Sequence, residues 1–321
     1  MILLTGGTGF VGHHLASQFV FEGRRVRVLS RTPDRIVLPE GVSCVKGDLT
    51  NPASLSEAMF GIDTVVHAGA VLQNGSTSDA ELEQVNAGGT AALARVARDS
   101  AVRRFVHISS AGVYGDGYTS SPHLESDIPA PATPYERSKL LAEQALVGAL
   151  EGSKVQWTIL RPQGLYGAKR PATAAFFRLV AQKKFWLHGP AHVVVHPTHI
   201  DDLASAVRKV LNCDDLHREI LNIGGERWLD YCELIRLTGA SLGHVPMQFR
   251  APGWASQVAA VSVRAWGANS RPPALLARLA RPWINRAVSI EKARDRLGFE
   301  PLTLAEGIHQ TATELRRNAQ L

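Results

Sequence analysis

The chain opens "MILLTGGTGFVG", an apolar run that breaks into Gly6, Gly9 and Gly12 at three-residue spacing and continues as a helical pattern. No other stretch restricts the fold as much. A strand that turns at once into a helix needs a tight reversal, which Gly6 permits. Gly9 lets a pyrophosphate approach the backbone, and Gly12 lets the helix pack close to the strand. The N–H groups of the first helical turn, at Phe10, Val11 and Gly12, then face the phosphate oxygens with the positive end of the helix dipole behind them.

The rest of the first 160 residues repeats the same alternation. Strand-like runs "MILLT", "RVRVLS", "VSCVKG", "DTVVHAG", "RRFVHISS" and "VQWTILR" are separated by helical patterns around residues 10–22, 53–60, 79–99 and 134–150. Such alternation predicts an α/β fold with a doubly wound parallel sheet and helices on both faces. A strand-like "HVVVH", a helix from about Asp201 to Leu211 and the strand "EILNIGG" follow, and beyond Arg227 the pattern is mostly helical. No linker interrupts the chain, so a second lobe is expected to grow from loops of the first. A chain of 321 residues is long enough for both.

Composition excludes several classes. No apolar run approaches the ~18 residues a membrane span needs. The apolar start is too short for a signal peptide. Cys44, Cys213 and Cys232 are odd in number and widely spaced, which predicts reduced thiols and a cytoplasmic protein. The net charge of +6 is local: no Asp or Glu lies between Glu233 and Glu291, whereas Arg236, Arg250, Arg264, Arg271, Arg278, Arg281 and Arg286 do. An anionic substrate, an anionic membrane surface or solubility alone accounts for such a patch. Within it, residues 272–286 place Leu275, Leu276, Leu279 and Trp283 on one helical face and Arg278, Arg281 and Arg286 on the other. An amphipathic surface helix is the expectation, with peripheral membrane contact or a lid as alternatives. Basic residues interleaved with stacking aromatics are absent outside the second lobe, so nucleic acid is not expected as a partner.

Two segments carry chemistry. In "TPYERSK", Thr133 and Glu136 form a capping-box pattern with Pro134 at the first helical position. Tyr135 therefore sits in the first turn and Lys139 one turn on, on the same face. A nearby ammonium lowers a phenol's pKa, and a phenol so tuned exchanges a proton with an alcohol or carbonyl. In "FVHISSAGVYG", Ser110 ends a strand, at the sheet edge that borders the ligand crevice. His67 and His107 lie on apolar strands and are expected to be packed residues; Asp201 and Asp202 are expected to cap a helix.

Together with "GDLT" (47–50), "VVHAGA" (65–70), "VNAGGT" (85–90), "RPQGLYG" (161–167) and "HIDDLASAV" (199–207), these segments resemble the extended branch of the short-chain dehydrogenase/reductase superfamily. The matches run in family order over about two-thirds of the chain. The resemblance implies a Rossmann-type domain over 1–162, rejoined by 192–226, and a smaller, mostly helical C-terminal substrate lobe from 163–191 and 227–321. It implies Tyr135 as acid/base, Lys139 as its pKa-lowering partner and holder of the nicotinamide ribose, and Ser110 polarising the reacting oxygen. Gly6, Gly9, Phe10, Val11, Gly12, Asp48, Leu49, Ala68, Gly69, Asn86 and Pro162 are the corresponding cofactor positions. Asp48 as a turn residue and Asn86 as a packing residue are the structural alternatives.

Departures from the family pattern weigh on the branch, although "SSAGVYGD" also resembles epimerases and arginines of 234–290 could replace the missing grip. Where sugar-nucleotide dehydratases carry Asp-Glu, this chain has Ala111 and Gly112. Where epimerases grip the nucleotide with an Asn and an Arg, it has Gly164 and Val195. "RPQGLYG" and "HPTHIDD" look more like 3β-hydroxysteroid-dehydrogenase and dihydroflavonol-reductase relatives. The Trp- and Leu-rich second lobe (Trp254, Trp266, Leu275, Leu276, Leu279, Trp283) suits either an apolar substrate or the lobe's own core. At the end of the second strand, "VRVLSRTPDR" has Ser30 and Arg31 where an acid would hold the ribose of NAD; an Arg there suits the 2′-phosphate of NADP. The expectation is an NAD(P)-dependent oxidoreductase, NADP preferred and NAD the alternative, interconverting a secondary alcohol and a ketone on a small, fairly apolar molecule. A nucleotide-sugar epimerase with tightly held NAD is the second reading and a non-catalytic scaffold the third. No metal is expected. The expected partner is the small-molecule substrate; a homodimer stands as an open alternative to a monomer.

Overall fold

The computed structural model describes residues 1–73, 76–100, 102–115, 121–182, 184–187, 193–250, 258, 262 and 286–321. The central sheet has seven strands: β1 (Ile2–Thr5), β2 (Val26–Ser30), β3 (Ser43–Lys46), β4 (Thr64–His67), β5 (Arg104–Ile108), β6 (Gln156–Pro162) and β7 (Glu219–Ile223). All pairings are parallel, in the order β7-β6-β5-β4-β1-β2-β3. The chain winds outward from β1 to β3, then crosses back to β4 on the other side of β1. The direction of winding therefore switches between β1 and β4, at the C-terminal strand ends where ligands of such sheets bind.

Period-two alternation builds both faces. Leu3, Val65, Phe105 and Ile159 point to a core shared with Leu55 of α2 (Pro52–Ala58), Leu93 of α4 (Gly89–Asp99) and Leu146 of α5 (Pro134–Leu150). Their neighbours Leu4, Val66, Val106 and Leu160 point the other way, to Leu15 and Phe19 of α1 (Phe10–Phe21) and Leu203 and Val207 of α7 (Ile200–Asn212). Each such buried side chain contributes roughly 1.5–3 kcal/mol. Both faces are covered, as a parallel sheet requires.

Three local expectations differ from the structure. The helix read over 79–99 is α3 (Asp79–Leu82), a π-helical turn (Glu83–Gly88) and α4. The wide turn carries Asn86 inward, where it is 1% exposed. "HVVVH" yields only the strand Val194–Val195, antiparallel to Leu229–Asp230 and outside the central sheet, because β7 occupies the place beside β6; position 192 lies outside the described residues. The N-cap of α7 is His199; Asp202 closes the capping box by accepting from His199 N at 3.1 Å, and Asp201 pairs with His14 at 2.8 Å.

The second lobe carries α6 (Pro171–Ala181) and α8 (Tyr231–Ser241). Near the C-terminus follow α9 (Glu291–Leu297), which ends at Gly298, and α10 (Leu304–Arg317). Phe177, Leu229, Leu304, Ile308 and Leu315 form one small core, and Val180, Phe185 and Ile235 another. Phe176 meets Phe177 and Phe185 edge-on. Trp254, Trp266 and the 272–285 part of the amphipathic segment lie outside the described residues. Among those described, no helix is long and apolar enough to cross a membrane.

Candidate active site

The glycine loop closes tightly on its neighbours. Gly6 has φ +71°, and a Cβ there would lie 2.6 Å from the Ala68 carbonyl oxygen. A Cβ on Gly12 would lie 2.2 Å from the Gly6 oxygen, so only glycine lets α1 sit on the loop. Gly9 is the N-cap of α1, with no side-chain cap and no acid in the first turn. The first-turn N–H groups, on Phe10, Val11 and Gly12, thus meet no side-chain cap. That donor set and the bare helix start fit a dinucleotide pyrophosphate.

The other expected cofactor positions follow the strand ends in order. Ser30 closes β2 and is buried, its Oγ accepting from Thr32 N at 3.2 Å; Arg31 beside it is exposed. Asp48 follows β3, and its Oδ1 accepts from Thr50 N and Oγ1 at 2.9 and 2.8 Å. It is a turn residue, and the Thr50 N–H holds its carboxyl below the usual range, with Arg31 adding a smaller pull. Leu49 packs against the α2–α4 core. Ala68 and Gly69 follow β4 beside the glycine loop, and buried Pro162 ends β6.

Asn86 is tied down through its amide, as the packing alternative describes. Its amide accepts from Val71 N at 2.8 Å and donates to Val71 O at 3.0 Å and Ser138 Oγ at 2.9 Å. It braces the segment after β4 against α5. His67 and His107 are fully buried, as read. His67 Nε2 meets Thr90 Oγ1 at 2.9 Å, and that hydroxyl donates to Asn86 O. Nε2 therefore carries the hydrogen, and Nδ1 accepts from Thr5, 2.6 Å away. Burial, with Lys139 nearby, pushes His67 down to about 3, so it stays neutral.

Thr133 caps α5, with both halves of the capping box made and Pro134 in the first turn. Tyr135 and Lys139 lie one turn apart on this helix. Ser110 caps the short 3-10 turn Ala111–Tyr114, its Oγ accepting from Gly112 N at 3.0 Å. That bond leaves the Ser110 hydroxyl hydrogen for another partner. The expected tuning is not what the structure holds. Burial pushes the Tyr135 phenol up to about 12; Arg170 pulls it down and Glu136 pushes it up. Lys139 is 3% exposed and donates to Ile108 O at 2.8 Å. Burial drops its ammonium to about 8, against an opposing pull from Glu143. Desolvation outweighs charge pairing at both groups. At neutral pH the phenol is a proton donor.

Sequence reasoning missed the layer beneath. Glu143, one turn beyond Lys139, takes a two-pronged ion pair from Arg161, with Nε to Oε1 at 3.0 Å and Nη2 to Oε2 at 2.6 Å, and also accepts from Ser109 Oγ. Arg161 also donates to Tyr114 OH at 2.8 Å, and Tyr114 to Asn222 Oδ1 at 2.8 Å. The i, i+4, i+8 spacing of Tyr135, Lys139 and Glu143 was the available signal; the partner on β6 was not. Arg170, at the start of α6, was likewise missed. Arg286, read as part of an exposed basic patch, is 4% exposed and pairs with Glu136 at 2.9 Å.

Comparison with known proteins agrees with this fold. The model of the NAD dependent epimerase/dehydratase family matches residues 2–224. A 4-hydroxy-2-methyl-3-oxo-4-farnesyl-3,4-dihydroquinoline-1-oxide ketoreductase of Stigmatella aurantiaca is 29% identical, over 92% of this chain and 90% of its own. A 3-beta-hydroxysteroid dehydrogenase of Mycolicibacterium neoaurum is 28% identical, over 95% and 88%. A UDP-glucose 4-epimerase of Vibrio cholerae is 27% identical, over 97% and 94%. The structure of MoeE5 in complex with UDP-glucose and NAD superposes with a TM-score of 0.77 at 24% identity, over 99% of both chains, a likeness of fold. Relatives thus include dehydrogenases, reductases and epimerases built on one Rossmann-type sheet. With the family match spanning β1 to the end of β7, the chain belongs to the NAD-dependent epimerase/dehydratase family, within the extended short-chain dehydrogenases/reductases.

Proposed function

We propose that this protein is an NADP-preferring oxidoreductase that interconverts a secondary alcohol and a ketone on a small, fairly apolar molecule. The observation that carries the reading is Gly164. Epimerases place an Asn in this segment to grip the nucleotide sugar. Here the backbone has φ +58°, and a Cβ would lie 2.7 Å from the His196 carbonyl oxygen. The position is built around a glycine, so the Asn grip is absent and has no room to return. Dehydration is disfavoured for a similar reason: a Cβ on Gly112 would lie 2.9 Å from Glu136 Cγ, a side chain clamped by Arg286. The ketoreductase and hydroxysteroid-dehydrogenase relatives act, by their names, on apolar molecules, which supports the same reading.

Bound NADP(H) would supply or take up hydride at the substrate carbon. Phe10, Val11 and Gly12 would hold its pyrophosphate, and Ser30 and Arg31 its 2′-phosphate. Ser110 donates its free hydroxyl hydrogen to the substrate oxygen. Tyr135, neutral at pH 7, gives that oxygen its proton during reduction and is left as the phenolate, which takes the proton back in the reverse direction. Lys139 offers an ammonium one turn behind, with Glu143 and Arg161 holding the base of the site rigid. Acid/base assistance of this kind contributes typically ~10²–10⁴-fold.

Stoichiometric coenzyme turnover tests the reading. Purified protein is incubated with NADPH or NADH and a panel of apolar ketones, and absorbance at the nicotinamide band is followed. Net oxidation that depends on Tyr135 supports it. The epimerase reading, kept open by the Vibrio cholerae relative, instead requires UDP-sugar interconversion without net coenzyme consumption.

A further inference from the structure

Arg286 belongs to no segment that matched the family pattern; it lies in the basic stretch for which an anionic substrate, an anionic membrane surface or solubility alone would account. In the fold it meets four segments that build the site. Its Nε donates to Gly115 O at 2.6 Å, just past the Ser110 turn. Its Nη2 donates to Glu136 Oε1 at 2.9 Å, on the catalytic helix. Its backbone oxygen accepts from Gln163 Nε2 at 3.4 Å, just past β6, and its N–H donates to Val194 O at 3.3 Å. The other Glu136 oxygen accepts from Ala132 N and Thr133 N, each at 3.0 Å, and so holds the entry to α5. The chain then stays pinned: His123 N donates to Ala287 O at 2.9 Å and Ser289 N to His123 O at 2.8 Å.

We propose that Arg286 acts on Tyr135 through Glu136, as a positioning residue: its guanidinium holds the Glu136 carboxylate against the Ser110 turn and balances that carboxylate's charge beside the phenol. The inference rests on Tyr135 being the acid/base. Three features support it. Both partners are nearly solvent-free, at 4% and 6% exposed, so their attraction is little screened. Glu136 adjoins Tyr135 in sequence and faces its phenol electrostatically, as does Arg170 from the start of α6. Lys139 lies one turn further along the same helix and is turned to Ile108 O. Arg286 thus balances the carboxylate that, among the described residues, opposes ionisation of the phenol, and it does so from outside the Rossmann segments.

The test needs no substrate. The protein is labelled with ¹³Cζ-tyrosine, and the Tyr135 resonance is assigned as the one missing in Tyr135→Phe. The ionised fraction of Tyr135 is then read at pH 11 in Arg286→Met, Glu136→Gln, the double variant and Arg286→Lys. Charge balance moves the singles in opposite directions. Glu136→Gln raises the phenolate-to-phenol ratio about threefold and Arg286→Met lowers it by a similar factor, the equivalent of about half a pH unit. The double variant returns near wild type, and Arg286→Lys, which keeps the charge, stays near it. Movement of both singles in the same direction, as loosening of the helix would cause, overturns the proposal, and so does no movement in either. If Arg286→Met does not fold, Glu136→Gln and Arg286→Lys decide alone. Tyr135→Phe with undiminished coenzyme turnover would sink the acid/base reading separately and leave the titration result standing.

Discussion

Gly164 can be tested by exchanging one methyl group at two sites. Gly164 and Gly298 share nearly the same backbone, φ +58° and +57°. They differ in surroundings. A Cβ at 164 would lie 2.7 Å from the His196 carbonyl oxygen, whereas one at 298 would meet only Lys209 Nζ at 3.9 Å, an ordinary contact with a flexible group. Holding alanine in the left-handed region costs about 1–2 kcal/mol at either site. The entropy that alanine removes from the unfolded chain is common to both and cancels. Crowding at 164 adds about 1–3 kcal/mol, because a backbone carbonyl tied into a strand connection cannot step aside. Gly298→Ala is therefore expected to lose about 1–2 kcal/mol and Gly164→Ala about 2–5 kcal/mol. Asparagine tolerates the left-handed region, so Gly298→Asn should be nearly neutral while Gly164→Asn keeps the crowding cost. Urea unfolding at pH 7, with slopes compared to verify a common unfolded state, measures all four. If Gly164→Ala costs no more than Gly298→Ala, position 164 is open and the argument against a nucleotide-sugar grip fails.

Three further outcomes are expected. Arg31→Asp should cut the ratio of NADPH to NADH affinity at least about tenfold, or ~1.4 kcal/mol, in fluorescence titrations; an unchanged ratio rejects the 2′-phosphate assignment. Glu143→Gln and Arg161→Met should each destabilise by about 3–5 kcal/mol, because each strands a buried partner, while the double variant recovers much of the loss; equal, additive losses in urea melts would contradict a coupled pair. Lys139 has a folded value of about 8 against an ordinary 10.5. Between those values the unfolded chain binds the extra proton, so stability gained from this site rises with pH across that window. Lys139→Met should thus be more stable than wild type at pH 7, by an amount on the order of 3 kcal/mol, with the advantage shrinking toward pH 10. Urea melts at both pH values check the sign.

The readable and the hidden parts of the site divide by range. The capping box at Thr133–Glu136 and the span 134–150 of α5 were legible because helix entry is a four-residue matter. The start of α1 at Phe10 was legible for the same reason. Burial was legible at His67 and His107, since the flanking residues are apolar, but the Thr5–His67–Thr90 relay was not, because it joins β1, β4 and α4. The second-lobe core read from Trp and Leu beyond 250 lies outside the described residues; the core described includes Phe176, Phe177 and Phe185.

Strand-helix alternation, glycine spacing and the Tyr135–Lys139 interval determined the fold class and the place of the site, because each is set by contacts within one turn or by strict two- and three-residue periods. The electrostatic character of that site was decided by tertiary structure. The sequence put an ammonium beside a phenol and implied a lowered pKa; burial, complete at Lys139 and partial at Tyr135, pushes the other way at both. The same holds for Arg286. Its charge was evident in the sequence, but whether it meets solvent, a membrane or Glu136 depended on which of 150 residues' separation the fold chose to close. Charges act through distance and dielectric, and only the folded chain sets either.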